Sequence, residues 1–269
     1  MIKKFIYYLC YGLVILLLTS GISCTKASQN PSPNQTAQTA LTVSAAASLK
    51  DAMDEIKANY MNEKPNVTVT INYGASGSLE QQIEQGASVD LFISAATKQI
   101  DQLKAKGLTI DDTTKNLLGN ALVLVVPSDS KANLNDFKGV TDPSIKKLAL
   151  GEPASVPAGQ YAEEVFTKLN ILSSIKSKIV YAKDVKEVLT WVQSGNADAG
   201  VVYATDAKTT DKVKVIATAA EDTHTPIVYP ATVINTSKNV DAAKDFLNYL
   251  SGDKAKPVFE KYGFTFMGK

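Results

Sequence analysis

From Leu41 onward the chain alternates short β-rich runs with stretches of helical period, and this alternation limits its fold more than any other feature. Nine runs read as strands: LTVSAA from Leu41, VTVTINY from Val67, VDLFISA from Val89, ALVLVVP from Ala121, KLALGE from Lys147, KIVYA from Lys178, AGVVYA from Ala199, VKVIATA from Val213 and IVYPATVI from Ile227. Helical patterns lie between most of them, which predicts an α/β protein of parallel sheets covered by helices. At 269 residues the chain exceeds the usual size of one domain. The apolar runs Leu122–Pro127 and Pro226–Ile234 stand about a hundred residues apart, with further α/β pattern between them. Read as two strands crossing between lobes, they place residues 41–121 and 232–269 in lobe 1 and residues 122–231 in lobe 2.

The segment before Leu41 is not fold. Lys3 and Lys4 precede the apolar run from Phe5 to Leu18, and small residues then lead to Cys24. This is the layout of a secretory signal, read here as residues 1–23, with an uncleaved anchor as the alternative. Residues 24–40 are polar and carry prolines without an apolar period, so they cannot bury enough surface to offset ordering and are expected to be a flexible tether.

Composition excludes several functions. All 28 cationic residues are lysine, so nothing can grip a carboxylate or phosphate with a guanidinium fork. One histidine, His224, and two cysteines, Cys10 and Cys24, cannot assemble a zinc or iron–sulfur ligand set. No cofactor and no metal cation is expected. A net charge of +1 supplies no field for nucleic acid, and no phosphate-binding nucleotide loop is present.

Four helix starts are predicted directly after strand ends, where open α/β sheets bind ligands. Ser48 stands where an N-cap belongs before the period Leu49, Ala52, Met53, Ile56, Tyr60. Ser76 lies in the turn after VTVTINY, ahead of a capping box read at Ser78 and Gln81. Pro157 suits a first helical position and leaves Ala158 and Gly159 as bare backbone donors. Asp184 with Glu187 caps a helix opened by Val185. Each start offers free N–H groups and about half a positive charge, so four together approach the charge of a dianion without an ionised side chain. Taken singly, a serine before a helix is usually just an ordinary cap. Lys50, Lys183 and Lys186, close to these starts, read as solvated surface charge.

The stretches AAASLKDAM, GASGSLEQQIEQGASVDLFISA, LLGNALVLVVP, GEPASVPAGQYAEE, GVVYATDA and YGFTF, in this order, resemble the periplasmic molybdate-binding proteins that serve ABC-type importers. The resemblance covers nearly all of Leu41 to Phe266. It implies the type II periplasmic-binding-protein fold, two α/β lobes joined by two crossing strands, with an oxyanion in the cleft. Carried over position by position, the ligands would be the hydroxyls of Ser48, Ser76 and Tyr203 and the backbone N–H groups of Ala158 and Val185. TSGISC likewise resembles a lipobox, which makes Cys24 a lipidation site; the other reading is an incidental thiol. The implied protein is a monomeric, membrane-anchored, extracytoplasmic lipoprotein at the cell surface or in the periplasm, not an enzyme, passing molybdate or tungstate to an ABC permease driven by ATPase subunits.

The chemistry of such a site follows from its donors. Backbone N–H groups only donate and hydroxyls can turn to donate, so a protonated oxyanion leaves its proton poorly paired, at a cost of about 1 to 3 kcal/mol. Molybdate, tungstate and sulfate meet this requirement equally, and a receptor for sulfate is the alternative. A hydrolase is a further one: Gly74–Ser78 approaches a nucleophile elbow, but its last position is serine and no base is evident. Alanine at Ser48 or Ser76 is expected to weaken binding with the melting temperature of the empty protein nearly unchanged.

Overall fold

The computed structural model describes residues 38–268. The expected signal at 1–23, Cys24, and all but the last three residues of the expected tether lie outside them. Chain order begins with β1 (Thr39–Ala46), a 3-10 turn (Ala47–Leu49), α1 (Lys50–Glu63), β2 (Val67–Gly74), α2 (Ser76–Glu84), β3 (Leu91–Ile93), α3 (Thr97–Ala105) and β4 (Lys115–Gly119). There follow β5 (Leu122–Pro127), β6 (Leu148–Gly151), α4 (Pro157–Lys168), α5 (Leu172–Ile175), β7 (Ile179–Ala182), α6 (Val185–Gln193), β8 (Ala199–Tyr203), α7 (Ala204–Ala207) and β9 (Val213–Thr218). The chain then closes with β10 (Val228–Val233), α8 (Val240–Leu250), α9 (Lys256–Lys261) and β11 (Thr265–Phe266).

Two sheets result, in the orders β11-β4-β10-β3-β1-β2 and β7-β6-β8-β5-β9, each with its helices forming one lobe. The chain passes between them at Asn120–Ala121, before β5, and at 219–227, before β10. Both sheets are mixed, not parallel throughout as the alternation predicts. β1 runs parallel to β2 and β3, and β6 to β7 and β8, whereas β10 opposes β3 and β4, and β5 opposes β8 and β9. The reason is topological: β5 and β10 are reached by passage from the other lobe, not through a helical crossover that would impose the parallel direction.

All nine runs read as strands form strands, and β4 and β11 join them. β1 starts at Thr39, inside the stretch read as tether, because Thr39 and Ala40 pair with Val67 and Thr68. β5 lies inside its sheet, and its residues Leu122–Val126 are all buried, as expected of a strand covered on both faces.

Two of the helix starts form as the pattern predicts. Pro157 is the first residue of α4. Asp184 caps α6, its Oδ1 accepting from the Glu187 N–H at 2.9 Å, while Glu187 Oε2 accepts from the Lys183 N–H at 2.8 Å. The serine-bearing starts differ. Ser48 lies within the 3-10 turn and caps nothing, and α2 begins at Ser76 after an extended Ala75, so the Ser78–Gln81 box does not form. Both serines are buried and their hydroxyls are engaged with more distant groups, which removes them from local capping.

Candidate functional site

The ends of β1, β2, β6, β7 and β8 bring the turns that follow them around one cavity between the lobes. It is lined from the first lobe by Ala46–Ser48, Gly74–Ser76 and Ala95, and from the second by Val156–Ala158, Asp184, Val185 and Tyr203. All five residues carried over from the sequence, Ser48, Ser76, Ala158, Val185 and Tyr203, are therefore brought together. The cavity is small, with about 10 Å³ open to the centres of water-sized spheres. The lobes meet beside it: the Gly77 N–H donates to the Ser155 carbonyl at 2.9 Å, and Tyr161 Oη to the Ala95 carbonyl at 3.4 Å.

The backbone donors come from helix first turns, whose N–H groups have no partner within the helix. Ala158 is the second residue of α4 and Val185 the first of α6. The position of α4 depends on Gly159. A Cβ there would stand 1.9 Å from the Gly151 carbonyl oxygen, so only glycine lets the first turn lie against the end of β6.

The hydroxyls differ in how they are held. Ser76 Oγ accepts from the Ala95 N–H at 2.9 Å; that bond uses a lone pair and leaves the serine proton free. Ser48 Oγ is 2.9 Å from Tyr229 Oη. Tyr203 is 1% exposed and its hydroxyl has no hydrogen-bond partner, which is costly in a buried group unless something completes it. Burial raises the pKa of Tyr203 and of Tyr229 well above the ordinary phenol value, so both keep their protons at neutral pH. No lysine lines the cavity, and its one carboxylate, Asp184, is turned to cap α6.

Lys186 departs from the expectation of a solvated charge. It is an ion-pair partner of Asp51 in the first lobe and lies 3.6 Å from Asp206 in the second. Lys50, by contrast, is exposed and pairs within α1 with Asp54, and Lys183 is exposed. Position accounts for the difference: Lys186 is in the first turn of α6, which faces the start of α1 across the cleft. Asp51 reads from pattern only as the residue three after the Ser48 cap position, and no local pattern marks Asp206, since the contact between Lys186 and Asp51 joins residues distant in sequence.

Asp206 is fully buried, and burial pushes its pKa up to about 6 against the pull of Lys186. The native state thus holds this proton more tightly than the unfolded chain does. The resulting stabilisation is complete below about pH 4 and is lost as the pH rises through about 6, a change of roughly 3 kcal/mol. Asp206→Asn removes this dependence. In thermal melts, its midpoint relative to the native sequence is expected to rise between pH 4 and pH 7; a constant difference would contradict the assignment.

Two α/β lobes joined by two connections, with a small donor-lined cavity between them, define the class of two-lobed solute-binding proteins. Residues 41–265 match the sequence profile of the bacterial extracellular solute-binding proteins, and the chain belongs to that family. YvgL of Bacillus subtilis, named as an ABC transporter substrate-binding lipoprotein, is 44% identical over 98% of this chain and 99% of its own length. The molybdate-binding protein ModA of Haemophilus influenzae is 42% identical over 84% of this chain and 89% of its own. Among solved structures, one described as the substrate-binding domain of a molybdenum ABC transporter from Clostridium difficile superposes with a TM-score of 0.66 at 52% identity, covering 84% of this chain and 98% of that one.

Proposed function

We propose that this protein captures molybdate, and tungstate with it, in the interlobe cavity and delivers it to an ABC permease energised by ATPase subunits. The observation that carries the reading is that five residues able to donate without charge line one small cavity from two lobes, and no cationic side chain lines it. Ser48 and Ser76 would donate from the first lobe; Ala158 N–H, Val185 N–H and the unpartnered Tyr203 hydroxyl would donate from the second. A bare dianion would complete all five, and closure of the lobes would exclude water from it. The similarity to ModA supports molybdate as the cargo. A hydrolase is disfavoured because the hydroxyls of Ser48 and Ser76 meet a tyrosine and a backbone N–H, neither of them a general base.

Cys24 would carry the lipid that holds the protein on the outer face of the membrane, a reading that the name of YvgL supports; Cys24→Ala should then leave the membrane fraction. Calorimetric titration with molybdate, tungstate, sulfate and phosphate tests the cargo. Saturable binding of molybdate and tungstate, with phosphate far weaker, is expected. Preference for sulfate would make the protein a receptor for the smaller dianion, and no binding of any oxyanion would remove the reading.

A further inference from the structure

Behind Ser48 runs a chain of hydrogen bonds whose direction is set at its far end. Asn120 Oδ1 accepts from the Ala121 N–H at 2.9 Å. A backbone N–H can only donate, so the amide is fixed with its NH2 group turned the other way. That group is 2.9 Å from Thr205 Oγ1 and 3.2 Å from Tyr229 Oη. An amide NH2 has no acceptor to offer, so Tyr229 Oη must accept from it. The phenol then has its single proton left to place, and Ser48 Oγ at 2.9 Å is its other hydrogen-bond partner among the described residues. Were Ser48 to donate instead, the buried Tyr229 proton would be stranded without a partner.

We propose that Asn120 and Tyr229 form a one-way relay that fixes Ser48 as a hydrogen-bond donor to the cavity, making Tyr229 a positioning residue that sets selectivity for fully deprotonated oxyanions. With one lone pair taken by Tyr229, the Ser48 hydroxyl turns its proton toward the ligand, and accepting from the ligand instead would leave that proton unspent. The relay is anchored where the lobes join: Asn120 lies in one connection, Tyr229 at the start of the strand that follows the other, and Thr205 in α7 of the second lobe. The inference rests on the oxyanion reading of the cavity.

The test compares dissociation constants for tungstate and for monohydrogen phosphate at pH 8 in the native sequence, Ser48→Ala, Tyr229→Phe and Asn120→Asp. Tyr229→Phe keeps the ring that packs on Phe264 and removes only the hydroxyl. Ser48 is then free to accept a proton from the ligand, so tungstate affinity should fall and the tungstate-over-phosphate ratio should shrink roughly tenfold, the scale of one hydrogen bond. Asn120→Asp replaces the NH2 group by an acceptor, which draws the Tyr229 proton to itself and leaves Ser48 free to accept from the ligand. The ratio should shrink at least as far, although the added charge weakens both anions. Asn120 is half-buried in a connection, so this variant decides the matter if the other fails to fold. A purely structural role for Tyr229 would weaken both anions equally. An unchanged ratio, in folded variants of a protein that binds tungstate and loses affinity in Ser48→Ala, overturns the relay and leaves the oxyanion reading intact. Absence of tungstate binding by the native sequence overturns both.

Discussion

Gly159→Ala is expected to lower molybdate affinity by about a hundredfold or more, the equivalent of losing one or two charge-assisted hydrogen bonds. The new Cβ would stand 1.9 Å from the Gly151 carbonyl oxygen and 2.6 Å from its carbon. These are backbone atoms, so no side-chain rotation relieves the overlap and the first turn of α4 must move off β6 by an ångström or so. Ala158, whose N–H is a proposed ligand, is the adjacent residue and moves with it. The displacement also opens the packing beneath α4, which costs on the order of 1 to 3 kcal/mol of stability. Titration calorimetry on the folded fraction, with thermal melts of the ligand-free protein, reads both effects. Native affinity in a protein whose melting point has fallen would separate α4 from the site.

Ser76→Ala should weaken molybdate binding by roughly 10- to 100-fold, as removal of a single hydroxyl donor to a buried anion does. The structure adds a second effect that the sequence reading lacks. The Ala95 N–H is buried and donates to Ser76 Oγ at 2.9 Å, so alanine at 76 leaves that donor unpaired and lowers the stability of the empty protein by about 1 kcal/mol or more. Ser48→Ala likewise strands a buried group, the Tyr229 hydroxyl that it meets at 2.9 Å, so its melting point should fall by a similar amount. A native melting point for either variant, measured without ligand, would contradict these pairings.

The convergence of the candidate residues on one cavity is legible because each turn that carries them is local. Pro157, Asp184 with Glu187, and the serines after strand ends each announce a turn within a few residues, and their common position at strand C-termini foretells that they converge. What escaped was non-local. Ser48 looks like a cap when only four residues are in view, and Ser76 like a turn residue ahead of one, because a serine before an amphipathic period caps by default. Their actual partners, Tyr229 and Ala95, are 181 and 19 residues away. Lys186 looked solvated for the same reason, its partner Asp51 being 135 residues distant. β4 and β11 were missed because neither has enough apolar length to stand out; each becomes a strand only by pairing at the edge side of a sheet that already exists. Parallel direction was over-read because alternation reports helices between strands, not the route by which the chain passes between lobes.

The central claim is that neutral donors of both lobes enclose a tetrahedral dianion in the cavity between them. Crystals grown with tungstate, with anomalous data at the tungsten edge, test it most directly. The account predicts one dominant peak within the cavity, with oxygens in hydrogen-bond reach of Ser48 Oγ, Ser76 Oγ, Ala158 N, Val185 N and Tyr203 Oη. A peak on surface lysines, or one held by a single lobe, would contradict it.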